Sequence, residues 1–213
     1  MNAKSAKSAG SRLNELLRAA GEGPLDEATS SRFEVYISLF IRWNKRVNLS
    51  SIRDEEGILS RHFVESIILA RRLPAGVNSL LDFGSGAGLP GIPIALCRPE
   101  IAVTLAESQN KKAAFLQEAV RELAIRAVVH AGRAEALRAV FECVALRAVD
   151  KMPEAVAAAA RLIAARGWLA LMTTDAGLAQ LHAGAGAGFT WADPVRLPGS
   201  ESRLVSLGQR ISS

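Results

Sequence analysis

The residues best suited to chemistry form a glycine-rich stretch at positions 80–91, Leu-Leu-Asp-Phe-Gly-Ser-Gly-Ala-Gly-Leu-Pro-Gly. Gly84, Gly86 and Gly88 alternate strictly, directly after an apolar run. Glycine is needed where the backbone turns sharply or where a ligand must touch the main chain, because a Cβ would collide. Pro90 suits the first position of a helix. We therefore predict a strand, a tight turn and a helix N-terminus whose partial positive charge points at a ligand.

Two acidic residues accompany this turn. Asp82 comes just before the first glycine, and Glu107 ends the next apolar run. Glu107 follows Gly86 at roughly the 20-residue distance at which a carboxylate accepts hydrogen bonds from a ribose. Asp82 would repel the pyrophosphate of a dinucleotide, but it can hold the ammonium group of a methionine-derived ligand. These residues favour S-adenosylmethionine as the cofactor, with its carboxylate on the backbone donors of the loop.

Other interpretations of the loop stay open. Gly86, Gly88 and Gly91 formally satisfy the dinucleotide pattern G-x-G-x-x-G, so a nicotinamide-dependent oxidoreductase is one alternative. A strand-to-helix turn without a ligand is another, and it would be compatible with a non-enzymatic RNA-binding module. Titration with S-adenosylmethionine and with NAD would separate the two cofactors, and binding of neither would favour the module.

The elements that must position this loop alternate regularly after Pro74. Short apolar runs, which we interpret as strands, occupy residues 79–83, 102–106, 127–130, 143–146 and 168–172. Helical patterns lie between them at residues 90–97, 111–123, 133–139 and 153–165. Such alternation predicts a parallel sheet with helices on both faces, wound right-handed.

The C-terminal part of the chain departs from this alternation. Residues 189–197 and 203–207 look like two strands, and the Pro-Gly-Ser turn at 198–200 joins them into a hairpin. The predicted fold class is therefore α/β: a Rossmann-like class I methyltransferase with a mostly parallel seven-stranded sheet, an antiparallel C-terminal hairpin and a helical N-terminal extension.

The N-terminal third has a helical pattern throughout. Apolar residues recur at helical spacing around Leu13, within residues 29–43 and within residues 54–73, where Asp54 suits an N-cap. We divide the chain into a flexible tail at residues 1–10, a helical N-terminal extension at residues 11–75 and an S-adenosylmethionine-binding methyltransferase domain at residues 76–213.

Composition and charge narrow the class of protein. The chain has 213 residues, of which 49% are hydrophobic and 22% charged, as in soluble globular proteins. No apolar run approaches the roughly 18 residues that span a bilayer, so we expect no membrane partner. Cys97 and Cys143 lie in apolar runs without metal-ligand spacing, which predicts buried free thiols in a reducing cytoplasm and no metal. We expect a monomer.

A basic balance suggests a polyanionic partner. The net charge is +5 and the isoelectric point is near 9.7. Four cations precede the first acid of their region, Asp54, and are our candidate RNA contacts: Arg42, Lys45, Arg46 and Arg53. A solvated helix face is the plainer explanation of such a run.

Joined to the glycine loop, residues 43–49 (Trp-Asn-Lys-Arg-Val-Asn-Leu) resemble the RsmG family, also called GidB. Matching segments follow in family order at residues 61–66 (Arg-His-Phe-Val-Glu-Ser), 132–135 (Gly-Arg-Ala-Glu) and 147–149 (Arg-Ala-Val). The resemblance covers about residues 40 to 150. Members of the family are bacterial methyltransferases that place a methyl group on N7 of one guanosine in 16S ribosomal RNA. It therefore implies 16S RNA or the small ribosomal subunit as the partner.

The resemblance also implies a set of site residues. Contacts to S-adenosylmethionine would come from Gly84, Leu89, Glu107, Ser108, Gln109, Ala134 and Glu135. Asp82, Gly86 and Gly88 complete the cofactor set from the argument about the loop. Arg147 would stand at the mouth of the reaction pocket, and it is both the candidate catalytic residue and a cofactor contact.

Plainer roles stay open for several of these residues. Glu135 could be an early-turn acid of a short helix, and Arg147 a surface cation. Trp43 could belong to the core, and His62 could be a structural histidine bonded to a neighbour. Two departures from the family concern Glu65, where aspartate is usual, and residues 171–174 (Leu-Met-Thr-Thr), where Leu-Lys-Gly is common.

Guanine N7 carries an in-plane lone pair and no proton, so its methylation needs no general base. Catalysis then consists mainly of holding donor and acceptor in line. In such a pocket Arg147 could bond the O6 edge of guanine, as arginine does elsewhere in nucleic-acid recognition. Because the product ring gains positive charge, we expect Arg147 to position the base and not to drive the transfer.

Overall fold

The N-terminal region is helical in the computed structural model, which describes residues 7–211. Its helices are α1 (Ala9–Ala19), α2 (Glu27–Val47), α3 (Glu55–Ile58), a π-helix (Leu59–Val64) and α4 (Glu65–Arg72). The predicted N-cap at Asp54 is confirmed, because its Oδ1 accepts a hydrogen bond from Gly57 N at 2.6 Å. The predicted tail falls mainly on residues 1–6, outside the described residues, and α1 begins at Ala9.

The sheet has eight strands. They are β1 (Ser79–Phe83), β2 (Ala102–Glu107), β3 (Ala127–Ala131), β4 (Phe141–Arg147), β5 (Ile163–Thr174), β6 (Phe189–Trp191), β7 (Val195–Arg196) and β8 (Arg203–Arg210). The order β3-β2-β1-β4-β5-β8-β6 has its first five strands parallel, and β8 runs antiparallel to β5. The predicted methyltransferase plan is thereby confirmed.

One strand prediction needs correction. Residues 189–197 were expected to form one strand, but they form β6 and β7, which pair separately with β8. Pro194 lies in the gap and has no N–H to donate to a sheet ladder. The sheet therefore has one strand more than the predicted seven.

Helices cover both faces of the sheet. They are α5 (Gly91–Cys97), α6 (Asn110–Leu123), α7 (Met152–Ala160) and α8 (Asp175–Ala185), together with a 3-10 turn (Ala134–Ala136). The predicted helix at 133–139 is only this turn, and the helix predicted to extend to residue 165 ends at Ala160 because β5 begins at Ile163. The sequence analysis did not predict α8, whose two glycines at 177 and 184 weaken its helical pattern.

Consecutive residues of the strands point to opposite faces, and each face has its own core. Leu80 packs with α5, α6 and the N-terminal helices, whereas Leu81 packs with α7 and α8. Phe33 of α2 and Phe115 of α6 belong to the same cluster as Leu80. The N-terminal helices therefore share a continuous core with one face of the sheet.

The two cysteines are free thiols, as predicted. Cys143 is fully buried and Cys97 is half-buried, and burial raises the pKa of each thiol to about 12. Both therefore stay protonated and behave as small apolar side chains. Among residues 7–211, no helix combines the length and the apolar character that crossing a bilayer requires.

Candidate active site

The carboxyl ends of β1, β2, β3 and β4 meet at one edge of the sheet, where a cavity of about 650 Å³ opens. This edge is where open α/β sheets bind ligands. The volume lies within the range of about 300–1,000 Å³ that is usual for cavities holding small molecules. The loops that follow these four strands, together with residues just after α2, line the cavity.

The glycine loop after β1 forms the floor of the cavity. Its three alternating glycines all have positive φ, as the predicted tight turn requires. A Cβ at Gly86 would meet nothing closer than the Gly84 carbonyl oxygen at 3.9 Å, so its free side faces open space. A Cβ at Gly88 would lie 2.5 Å from Ile92 Cδ1. Gly86 therefore leaves room for a ligand. Gly88 leaves room for α5 and does not line the cavity, which corrects the expectation that it contacts the cofactor.

Asp82 does not have the role that the sequence analysis expected. Its side chain is 1% exposed, does not line the cavity, and accepts a hydrogen bond at Oδ2 from Gly91 N at 3.0 Å. Burial raises the pKa of Asp82 to about 7. The prediction that it contacts the cofactor ammonium is therefore corrected. Asp82 holds the start of α5 against the end of β1, and so shapes the loop.

Glu107 lies where the sequence analysis placed it, at the end of β2. Its carboxylate is 6% exposed and accepts hydrogen bonds from Gly86 N at 2.9 Å and Gln109 N at 2.7 Å. Each carboxylate oxygen can accept a second bond. Glu107, Ser108 and Gln109 all line the cavity. The carboxylate is thus fixed beside the open side of Gly86, with acceptor capacity left for a ligand.

The segment after β3 forms a further part of the cavity wall. Gly132, Ala134 and Glu135 line the cavity, and Ala134 is buried at the start of the 3-10 turn. Glu135 Oε1 accepts from Arg133 Nη2 at 2.7 Å, and both side chains are exposed to solvent at the rim. The alternative role of Glu135, an acid stabilised by the dipole of a helix, is weakened because a single 3-10 turn has only a small dipole. Ala134 presents a small apolar side chain to the cavity.

The N-terminal helices hold the glycine loop directly. Tyr36 of α2 is fully buried, and its hydroxyl donates to the Ala87 carbonyl at 2.6 Å. Burial raises the pKa of Tyr36 well above its usual value, so the hydroxyl keeps this proton. Its ring packs edge-on against Phe63 and stacks with Phe115, at centroid distances of 5.1 and 6.5 Å. Sequence reasoning missed this residue, although it is the single tyrosine of the chain.

Arg147 lies at the end of β4 and lines the cavity, but its two terminal nitrogens are bonded to protein groups. Nη1 donates to Ser66 Oγ at 3.2 Å and to the His62 carbonyl at 3.4 Å. Nη2 donates to Glu65 Oε2 at 3.1 Å and also contacts the Arg61 carbonyl. Because both terminal nitrogens bond protein groups, only the Nε–H of Arg147 remains for guanine O6, and that expected contact stays a prediction. Through these bonds Arg147 holds the π-helix and α4 against the end of β4.

Glu65 links this wall to the C-terminal hairpin. The side chain is 2% exposed, and its Oε1 accepts from Arg203 Nε of β8 at 2.7 Å while Oε2 accepts from Arg147. A buried carboxylate between two guanidinium groups is satisfied in both charge and hydrogen bonding. Glutamate at this position, where the family usually has aspartate, therefore keeps the negative charge that joins α4 to β4 and β8.

The π-helix brings His62 to the cavity. His62 Nε2 lies 2.6 Å from Ser50 Oγ, and both residues line the cavity with Leu49 and Ser51. Burial and the positive charges of Arg147 and Arg61 lower the pKa of His62 to about 3. The ring is therefore neutral at physiological pH and bonded to a neighbour, which favours the structural role considered for it. Sequence reasoning did not single out Ser50, which follows the family-like segment at 43–49.

The four predicted RNA contacts, Arg42, Lys45, Arg46 and Arg53, all lie outside the cavity lining. Arg42 Nη2 bonds Glu118 Oε1 at 2.5 Å, and Arg53 Nη2 bonds Asn48 Oδ1 at 2.5 Å. Lys45 and Arg46 are exposed. Trp43, which was weighed as a core residue, packs edge-on against Phe115 and also donates to Glu118 Oε2 at 3.0 Å. RNA binding by the four cations stays a prediction.

Comparison with known families decides the relationship. The model of GidB, described as rRNA small subunit methyltransferase G, matches residues 29–189. The chain belongs to the GidB family. A ribosomal RNA small subunit methyltransferase G of Neisseria meningitidis serogroup B is 40% identical over 150 residues, which cover 70% of this chain and 72% of that protein. One of Xanthomonas axonopodis pv. citri is 37% identical over 183 residues, covering 83% and 84%.

Solved structures share the fold of this GidB protein. A cofactor-bound protein from MTB, Rv0187, has a TM-score of 0.62 at 16% identity and covers 86% of this chain and 91% of its own. A predicted O-methyltransferase from Agrobacterium tumefaciens has a TM-score of 0.57 at 21% identity, with coverage of 68% and 80%. At these identities the likeness concerns the fold, which is that of methyltransferases and agrees with the predicted class.

Proposed function

We propose that this GidB protein transfers the methyl group of S-adenosylmethionine to N7 of one guanosine in 16S ribosomal RNA. The observation that carries the proposal is a single cavity in which the open side of Gly86 and the fixed carboxylate of Glu107 face the same space. Family membership supplies the class of reaction and of substrate, since the relatives are named as methyltransferases of the small-subunit RNA.

The residues at the donor end fit S-adenosylmethionine. A ligand can contact the main chain at Gly86, where a Cβ would fill the space, and Glu107 can accept from the hydroxyls of a ribose. Ala134 and Gln109 also line the cavity and would hold the adenine. When bound, the cofactor supplies a methyl group on a positively charged sulfur.

The acceptor end needs no base. Guanine N7 has no proton to remove, and the only histidine that lines the described cavity, His62, is neutral and bonded to Ser50. The protein therefore accelerates the reaction by holding the two reactants in line and by excluding water. Ser50, His62 and Arg147 belong to one hydrogen-bonded wall, which sets the shape of the space for the base.

Cations at the rim of the cavity suit a ribose-phosphate chain. Lys112, Arg133 and Lys151 line its border, and the last two are exposed. Together with Arg42, Lys45, Arg46 and Arg53 they are our proposed phosphate contacts, and the net charge of +5 favours an RNA partner. The two free thiols fit a reducing compartment such as the cytoplasm.

The test is to map 7-methylguanosine in 16S RNA from cells with and without the gene. We expect one modified guanosine to be lost with the gene and restored by the wild-type protein but not by Gly86→Val. Purified protein should then methylate RNA or small subunits from the deleted strain with labelled S-adenosylmethionine. An unchanged methylation map would contradict the proposal. Binding of NAD instead of S-adenosylmethionine in calorimetry would favour the oxidoreductase alternative.

A further inference from the structure

Ser50 lies between α2 and α3 and lines the cavity. Its Oγ has two close neighbours: His62 Nε2 at 2.6 Å and the backbone N–H of Ile52 at 3.0 Å. The Ser50 backbone N–H is held in turn by Asn44 Oδ1 at 2.9 Å. The residue is therefore fixed from three directions, and the direction of each hydrogen bond determines where its hydroxyl proton points.

The environment of His62 decides which ring nitrogen carries the proton. Arg147 Nη2 lies 3.5 Å from His62 Nδ1, so a proton on Nδ1 would point at a positively charged guanidinium. Nδ1 must therefore present a lone pair. The ring is neutral because burial lowers the pKa of His62 to about 3, so its single proton is on Nε2. His62 Nε2–H consequently donates to Ser50 Oγ.

Ser50 Oγ thus accepts two hydrogen bonds, one from His62 and one from Ile52. A serine hydroxyl has two acceptor lone pairs and one proton, so its acceptor capacity is filled. Among residues 7–211, Oγ contacts no further acceptor to which it could donate. Because Ser50 lines the cavity, the remaining O–H is available to a ligand there.

We propose that the Ser50 hydroxyl determines specificity by donating a hydrogen bond to O6 of the target guanine, with His62 as the residue that positions it. This inference rests on the proposed function. Guanine presents O6 and N7 as neighbouring acceptors, whereas adenine presents an amino group in place of O6. A donor at this position therefore accepts guanine and opposes adenine, since two donors would face each other.

The neutrality of Ser50 suits the reaction. Methylation at N7 gives the ring a positive charge, and a guanidinium bonded to O6 would repel that charge as it develops. A hydroxyl holds O6 without adding a full charge. Arg147, whose terminal nitrogens are bonded to protein groups, acts one step away by fixing the tautomer of His62.

The test combines protein variants with a base analogue. Ser50→Ala removes the donor, Ser50→Thr keeps a hydroxyl, and Ser60→Ala is the matched control, because Ser60 bonds the Glu56 carbonyl and does not line the cavity. Each variant is assayed with small-subunit RNA that carries either guanosine or 2-aminopurine at the mapped target. The analogue keeps N7 but lacks O6. Donor affinity is measured by calorimetry in parallel.

With guanosine, Ser50→Ala should lower kcat/KM about tenfold, as expected for the loss of one hydrogen bond. Ser50→Thr should recover most of this loss because it keeps the hydroxyl, while the control Ser60→Ala stays near wild type. Wild type should methylate the 2-aminopurine RNA about tenfold more slowly than the guanosine RNA, whereas Ser50→Ala should barely distinguish the two substrates. His62→Ala should lose the same discrimination, because the Ser50 hydroxyl is then free to turn. Donor affinity should not change in these variants.

The inference would be overturned if Ser50→Ala still methylated the 2-aminopurine RNA about tenfold more slowly than the guanosine RNA. The variant and the analogue would then remove different contacts. The same holds if Ser50→Ala has wild-type activity on guanosine. Failure of the proposed function is a different result: wild type would methylate neither RNA at any guanosine while still binding S-adenosylmethionine.

Discussion

Replacing Glu107 tests whether the cofactor ribose is held at the end of β2. In the structure this carboxylate already accepts from Gly86 N and Gln109 N. Each of its oxygens therefore has one lone pair left for a ribose hydroxyl. Glu107→Ala removes both oxygen acceptors. Glu107→Gln keeps one oxygen but replaces the other with an amide N–H₂, which then faces a backbone N–H that needs an acceptor.

The magnitude follows from these bonds. A hydrogen bond to a charged group contributes about 1.5–3 kcal/mol, and water entering the space left by alanine offsets part of two such bonds. We expect Glu107→Ala to weaken S-adenosylmethionine binding by about 1–3 kcal/mol, which is roughly a 5–150-fold change in Kd. Glu107→Gln should fall within the same range, because the amide cannot satisfy both backbone donors and both hydroxyls.

Calorimetry with S-adenosylmethionine measures the change, and urea unfolding shows whether the variant is folded. Glu118→Ala is the matched control, since Glu118 bonds Arg42 and Trp43 away from the cavity and should not alter donor affinity. An unchanged Kd for a folded Glu107→Ala protein would refute the reasoning. The ribose would then be held by other residues.

Three further predictions concern the loop, the N-terminal helices and the basic residues. Gly86→Val should abolish donor binding in calorimetry, because φ is +56° and the added side chain enters the cavity. Tyr36→Phe leaves the Ala87 carbonyl without its donor, so we expect the donor Kd to rise by about 3–10-fold while RNA affinity in a filter-binding assay stays unchanged. Combining Arg42→Ala, Arg46→Ala and Arg53→Ala should flatten the salt dependence of RNA binding by about 0.7–0.9 in log–log slope per lost phosphate contact, without a change in donor affinity.

Each of these predictions has an outcome that counts against it. Normal donor binding by Gly86→Val would mean that the glycine alternation serves only the turn. If Tyr36→Phe lowered donor and RNA affinity equally, the hydroxyl would support the whole fold and not the loop. An unchanged salt slope in the triple variant would leave Arg42, Arg46 and Arg53 as a solvated face, and the rim cations would be the next candidates.

The glycine loop of the candidate site and the elements around it were predictable because their determinants are local. Three glycines in alternation require a backbone that turns sharply, and an apolar run before them and a proline after them specify a strand and a helix on either side. Glu107 was found by its distance along the chain from the loop. The parallel strands were recognised at their centres. The predicted strand at 168–172 is shorter than β5, because polar residues near the ends of β5 interrupt the apolar pattern on which the prediction rests.

The roles of Asp82, Arg147, Tyr36 and Ser50 could not be predicted in the same way. Asp82 has the residue type expected of a cofactor contact, yet only the packing of α5 shows that Gly91 N takes its carboxylate. Arg147 bonds Glu65 across 82 positions of sequence, and Tyr36 bonds Ala87 across 51. No local pattern encodes such pairings, because they depend on which faces of distant elements the core brings together.

The amino-acid sequence by itself thus determined the fold class, the family and the place of the glycine loop at the candidate site, since periodicity, glycine spacing and motif order are properties of short segments. The tertiary structure decided how the hydrogen-bonding groups are used. A guanidinium or a hydroxyl has a fixed number of donors and acceptors, and only the folded chain shows which of them the protein fills and which remain for a ligand.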